Sequence, residues 1–174
     1  MFFCLILVFI SIFTGATAAN SCSCSCSGNS PFNGRSAIRQ CTFSKINEDK
    51  DVGGIRTCGF QKISDNTALR ATFQGDIRML GCTNGRCCRR WFITFNGQEC
   101  SSPAPIDAVV YANVAVNLHR PGTLDGFCEN IPKGRVVVGV SVGDCKLSAH
   151  PNGNAFTGWN SVARLIIEEV PPLQ

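Results

Sequence analysis

The stretch RRWFITFNG, Arg89 to Gly97, places Trp91, Ile93 and Phe95 on one side of an extended chain and Phe92 and Thr94 on the other, then closes on Asn96-Gly97. A period of two ending in an Asn-Gly pair is the pattern of a β-strand entering a turn. The pattern repeats on either side. Upstream, TALRATFQGDIRM alternates through Leu69, Ala71 and Phe73 and resumes at Ile77 and Met79, which predicts a half-buried strand with a break or bulge at Gly75. Downstream, Ile106 to Tyr111, Val114 to Leu118, Val136 to Val142 and Val162 to Val170 are rich in β-branched residues. The run RVVVGVSV is nearly continuous, as expected of a strand buried on both sides or lying in a subunit interface. Helical periodicity is scarce. Seven or eight strands between turn signals predict an all-β fold, a two-sheet sandwich or jelly roll.

The domain is expected to occupy residues 40–174. Before it, Phe2 to Phe13 is apolar except for Cys4 and Ser11 and leads to Ala16-Thr17-Ala18, the layout of a secretory signal peptide over residues 1–18. The alternative, a membrane anchor, needs about 20 apolar residues. Val162 to Val170 is interrupted by Arg164, Glu168 and Glu169, so no membrane span is expected there either. Residues 19–39 form a Cys/Ser-rich leader and linker, with Gly28, Pro31 and Asn33-Gly34 as turn signals. Secretion to the extracellular space or matrix is therefore the expected localisation. The formal charge of +4 is mild. It suits anionic matrix polymers or membrane surfaces, and nucleic acid is not an expected partner.

Of 12 cysteines, Cys4 falls in the signal segment. Cys41, Cys58, Cys82, Cys87, Cys88, Cys100, Cys128 and Cys145 lie in the domain, an even number expected to form intrachain disulfides in an oxidising compartment. Spacing does not determine connectivity. Cys41 with Cys58 and Cys128 with Cys145 close loops of moderate length. Adjacent Cys87 and Cys88 face opposite ways on a strand and need different partners, with Cys82 and Cys100 nearest. Cys22, Cys24 and Cys26 are odd in number and project from one side of an extended segment, which predicts inter-chain bridges and a homo-oligomer. A thiolate metal cluster is the rival reading, although zinc wants four ligands.

An enzyme is not expected. His119 and His150 are the only neutral-pH bases, and neither sits in a nucleophile or metal motif. Asp125 with Glu129, and Glu168 with Glu169, are expected as solvated charges. No phosphate-binding loop, cofactor site or metal site is indicated. Arg78, Arg86, Arg89 and Arg90 crowd the segment RMLGCTNGRCCRRW. Guanidinium groups bind sulfate and carboxylate through paired hydrogen bonds, so these four are candidates for an anionic-polymer patch, set against a merely solvated basic loop.

The segments QCTF (Gln40–Phe43), NTALRATFQGDIRM (Asn66–Met79), CCRRWFITFNGQEC (Cys87–Cys100), PAPIDAVVY (Pro103–Tyr111), NLHRPGTLDGFCENI (Asn117–Ile131) and TGWNSVARLIIEEVP (Thr157–Pro171) resemble the C-terminal globular domain of collagen triple helix repeat-containing proteins. The eight domain cysteines fall where that family has them. The resemblance implies a trimeric, non-enzymatic secreted protein of the extracellular matrix, connected with collagen-matrix remodelling and with the planar-polarity branch of Wnt signalling through an extracellular receptor. It also implies a globular part similar to the jelly-roll heads of complement-type and tumour-necrosis-factor-type trimers. An alternative use of such a head is lectin-like or innate-immune recognition of glycans or anionic polymers. Period-three glycines are absent, so a collagen stalk is not expected to assemble this chain and the leader cysteines are its expected substitute. No Asn-X-Ser/Thr acceptor occurs in the mature chain; Asn20-Ser21-Cys22 is at most a variant of one.

Overall fold

Alternating apolar residues carry the described part of the chain into ten strands: β1 (Ile38–Ser44), β2 (Gly53–Lys62), β3 (Ala68–Leu80), β4 (Cys87–Phe95), β5 (Gln98–Glu99), β6 (Asp107–Ala112), β7 (Arg120–Cys128), β8 (Gly134–Gly143), β9 (Asn154–Thr157) and β10 (Val162–Val170). The structure, a computed structural model, describes residues 37–82, 86–113, 116–146 and 153–174. Among these there is no helix. Cys22, Cys24, Cys26 and His150 lie outside the described residues. Two antiparallel sheets form a sandwich. One runs β1-β10-β3-β7, with β9 also on β3; the other runs β2-β8-β4, with β5 and β6 both on the far edge of β4.

The inner faces supply one core. Leu69, Ala71, Phe73, Leu124, Leu165 and Ile167 of the first sheet meet Phe60, Trp91, Ile93, Val138, Val140 and Val142 of the second. The Trp91 indole N–H donates to Thr157 Oγ1 at 2.8 Å, which satisfies the one polar atom of the largest buried side chain.

Two strand expectations need correction. β3 runs unbroken through Gly75, which pairs in register with Gly122 of β7. A Cβ at Gly75 would stand 2.7 Å from Phe73 Cζ and 3.1 Å from Ala163 Cβ, so glycine is there for close packing rather than for a bulge. Residues 116–118 are exposed and unpaired, so Val116 to Leu118 is not a strand. The strand instead begins at Arg120 and includes Pro121, Gly122 and Gly126. β8 is buried on both faces from Val138 to Gly143, as expected. Val138, Val140 and Val142 point inward, the outward positions Gly139 and Ser141 are small and covered, with Thr57 and Thr94 against Gly139, and only Arg135 and Val137 nearer its start are exposed.

Among the described residues four bridges close the domain: Cys41–Cys58, Cys82–Cys87, Cys88–Cys145 and Cys100–Cys128. The Cys128–Cys145 pairing is thus corrected. Cys128 ends β7 and reaches Cys100 just beyond β5, while Cys145, just beyond β8, lies beside β4 and reaches Cys88. Cys87 and Cys88 do take different partners. Cys41–Cys58 and Cys100–Cys128 each tie one sheet to the other.

The acidic pairs are not plain solvated charges. Glu169 is 0 % exposed. Its carboxylate accepts from Ile63 N at 2.8 Å, Ser64 N at 3.0 Å and Thr67 Oγ1 at 2.6 Å, pinning the β2–β3 turn to β10. Lys62, also buried, donates to Thr67 Oγ1 and to Ser64 O. Burial lowers the Lys62 ammonium below its ordinary range, against the opposing pull of Glu169 and Asp65. Asp125 accepts from Arg70 and Thr72 on the outer face of the first sheet, and Glu129 accepts from Leu173 N at 3.3 Å.

Candidate recognition site

The basic patch expected on one surface is taken apart by the fold. Successive residues of β4 face opposite ways, so Arg89 and Arg90 diverge. Arg89 is 6 % exposed and donates to Gly153 O at 2.6 Å and Asp51 O at 3.2 Å while pairing with Asp144 and Asp51. Arg90 is 4 % exposed, pairs with Glu99 and Asp107, and lies 4.6 Å from the Phe92 ring centroid. The Glu99 hydrogen bond is the main cause holding the Arg90 guanidinium above its ordinary range, and the same bond holds the Glu99 carboxyl below its own. Arg78 stands over Phe156 at 4.3 Å and donates to Asn117 Oδ1 at 2.9 Å. Of the four candidates only Arg86 is exposed. Arg89 and Arg90 are internal fasteners, their buried guanidinium groups turned to carboxylates and carbonyls of the domain rather than to an outside polymer.

A different cluster forms where β3, β7 and the β9–β10 turn meet. His119, just before β7, has Nδ1 2.9 Å from Asp76 Oδ2 and Nε2 3.1 Å from Arg78 Nη1. Arginine has only donors, so Nε2 accepts, and Nδ1 carries the hydrogen that goes to Asp76. The imidazole stacks on Trp159 with ring centroids 4.3 Å apart and planes inclined by 32°. Trp159 is 50 % exposed, yet its turn is tightly held. Gly158 and Asn160 have φ of 79° and 48°, Gly158 N donates to Asp76 O at 2.8 Å, and a Cβ on Gly158 would come within 2.5 Å of Ile46 Cβ.

Two clefts, each of about 550 Å³, open beside this indole. One lies between the β1–β2 loop and the turn. The other lies over the outer face of the first sheet and includes His119 and Asp76. An Asp–His pair is half of an acid–base relay, but here the outer imidazole nitrogen faces a guanidinium rather than a hydroxyl or thiol. Among the described residues no group of His, Cys, Asp and Glu could hold a metal ion. What the cluster does offer is a fixed, half-exposed aromatic plane bordered by hydrogen-bonding side chains. Sequence reading passed over Trp159; the signal for it was a tryptophan set between glycine and asparagine in TGWNS, the only one of two tryptophans outside an alternating run.

The class defined by this architecture is a disulfide-stapled, two-sheet β-sandwich of the kind found outside the cell. A family model described as CTHRC1, C-terminal domain, matches residues 34–167, and the chain belongs to that family. Membership makes this a domain of a secreted, matrix-associated and non-enzymatic family, and four disulfides fit an extracellular location. No helix among the described residues is long and apolar enough to cross a membrane.

Proposed function

We propose that the protein acts outside the cell as an oligomeric matrix or signalling protein that modulates Wnt planar-polarity signalling and collagen-matrix remodelling without catalysis. The family match over most of the chain carries this reading. Assembly is expected through Cys22, Cys24 and Cys26, with a trimer favoured. Support for assembly comes from edge strand β6, which leaves Val109 and Tyr111 exposed beside Val116 and Leu118, apolar surface of the sort that protein contacts cover.

The test is non-reducing electrophoresis of the secreted chain, followed by a planar-polarity Wnt reporter with the same samples. Covalent oligomers that vanish in the Cys22→Ser, Cys24→Ser, Cys26→Ser variant, with loss of reporter response, support the reading. A plain monomer with full reporter activity refutes the role of assembly, and a silent reporter with intact oligomers refutes the signalling role. A second reading, a glycan-recognition module, is favoured by Trp159 and its two clefts. Glycan binding without any reporter response would select it.

A further inference from the structure

Trp159 sits where two clefts meet, each with a mainly apolar wall into which several polar side chains are set. The first cleft is lined by Ser44, Lys45, Asn47 and Asn160, the second by Gln74 and Thr123 among others. A protein-binding tryptophan is typically ringed by apolar neighbours that exclude water, whereas among the described residues lining these clefts the one exposed large aliphatic is Val162. An aromatic plane with hydroxyls and amides around it matches a sugar, whose C–H face stacks while its hydroxyls hydrogen-bond.

Charge narrows the class further. Arg56, Arg70, Arg89, Arg90, Lys133 and Lys146 each face a carboxylate. Several other cations have no carboxylate partner among the described residues, and of these Lys45 and Arg164 are the ones that line the two clefts. Both are exposed, and they flank Trp159 from opposite clefts. Arg164 lies between Thr42 and Gln74 across its sheet, on the same outer face. The one acid in the second cleft, Asp76, is already bonded to His119, with Arg78 behind it.

We propose that the Gly158–Trp159–Asn160 turn is the centre of a binding site for an acidic carbohydrate, with the indole as platform for a sugar ring and Lys45 and Arg164 as partners of its carboxylate or sulfate groups. The proposal rests on the recognition-module reading and gives it a ligand class. It also moves the anionic-polymer surface from Arg86, Arg89 and Arg90 to the β9–β10 turn, where Arg78 serves as the partner of His119.

The two tryptophans make the test direct, because Trp91 is 0 % exposed and only Trp159 meets solvent. The secreted full-length protein is titrated with hyaluronan oligosaccharides (carboxylate alone), heparin oligosaccharides (sulfate and carboxylate), neutral malto-oligosaccharides and inorganic polyphosphate, with acrylamide quenching as readout. Affinities of variants are then measured on immobilised glycan. At least one acidic oligosaccharide should shield Trp159, and whichever does identifies the anionic group. Trp159→Ala should weaken binding at least tenfold, Trp159→Phe should restore part of it, and Lys45→Gln with Arg164→Gln should weaken it and flatten its salt dependence. Arg86→Gln should change nothing. An unaltered Trp91 signal confirms that each variant is folded. Equal shielding by polyphosphate or by neutral sugars overturns the proposal. Acidic-glycan binding that ignores Trp159→Ala overturns this site but leaves the recognition reading standing, and failure to bind any glycan overturns both.

Discussion

Replacing Glu169 with glutamine should be far more damaging than replacing its neighbour Lys62 with methionine, although the two look like halves of one buried ion pair. The carboxylate serves two backbone N–H groups and the Thr67 hydroxyl, all within 3.0 Å. Glutamine keeps one acceptor oxygen, and in either orientation its amide N–H meets a buried backbone N–H. At about 1–3 kcal/mol for a buried donor left unsatisfied, plus the loss of charge assistance in the remaining bonds, the expected cost is about 3–4 kcal/mol. Methionine in place of Lys62 leaves all three donors to Glu169 in place, retains most of the aliphatic stem and removes an ammonium that burial already disfavours. Its expected cost is about 1 kcal/mol, since no buried donor is left without an acceptor. The assay is denaturant unfolding with disulfides intact, followed through Trp91. For m near 1–3 kcal/mol/M in urea, Glu169→Gln should lower the midpoint by about 1–3 M and Lys62→Met by a third of that or less. Equal shifts, or a larger one for Lys62→Met, would refute the idea that Glu169 acts chiefly as a cap for the β2–β3 turn.

Removing the Cys88–Cys145 bridge as an alanine pair should cost about 2 kcal/mol more than removing Cys82–Cys87, because the loops span 57 and 5 residues and chain entropy assigns them about 4 and about 2 kcal/mol; paired thermal melts decide this. Acid should weaken the fold: Arg90 depresses the Glu99 carboxyl and Arg70 that of Asp125, so their stabilisation is complete above the unfolded carboxylate range and is lost as pH falls through the lower folded values. Stability measured from about pH 6 down to about pH 2 should fall, and Glu99→Gln should flatten the slope. Gly158→Ala should destabilise by about 1–3 kcal/mol, through a positive φ and a collision with Ile46, and should change acrylamide access to Trp159.

The strands legible in the sequence were β3 and β4, through the alternation of their apolar residues, and β6, β8 and β10, through their β-branched residues. β2 was hidden because its register shifts between Gly54 and Arg56, which breaks the period of two. β7 was hidden because proline and two glycines read as a turn, yet these glycines admit neighbours: Ile77 Cδ1 would stand 2.5 Å from a Cβ on Gly122, and Ile106 Cγ1 2.9 Å from one on Gly126. Composition identified Arg89 and Arg90 as a cluster but not where they point, which depends on strand parity and on acids up to 55 residues away. The recognition cluster was not legible because Asp76, His119 and Trp159 come from three separate segments and meet only when β3 pairs with both β7 and β9.

The bridge pattern also decides how the domain survives proteolysis. A single backbone cut between Cys88 and Cys145 leaves both pieces joined through that bridge, so the nicked protein runs as one band until reduced. A cut between Cys58 and Cys82, or beyond Cys145, lies inside none of the four covalent loops. Past Cys145 the released fragment would carry β9 and β10, the latter seated between β1 and β3 in the middle of its sheet. The clipped molecule would keep its shape only as a non-covalent complex, with the Trp159 turn and Glu169 both on the detachable piece.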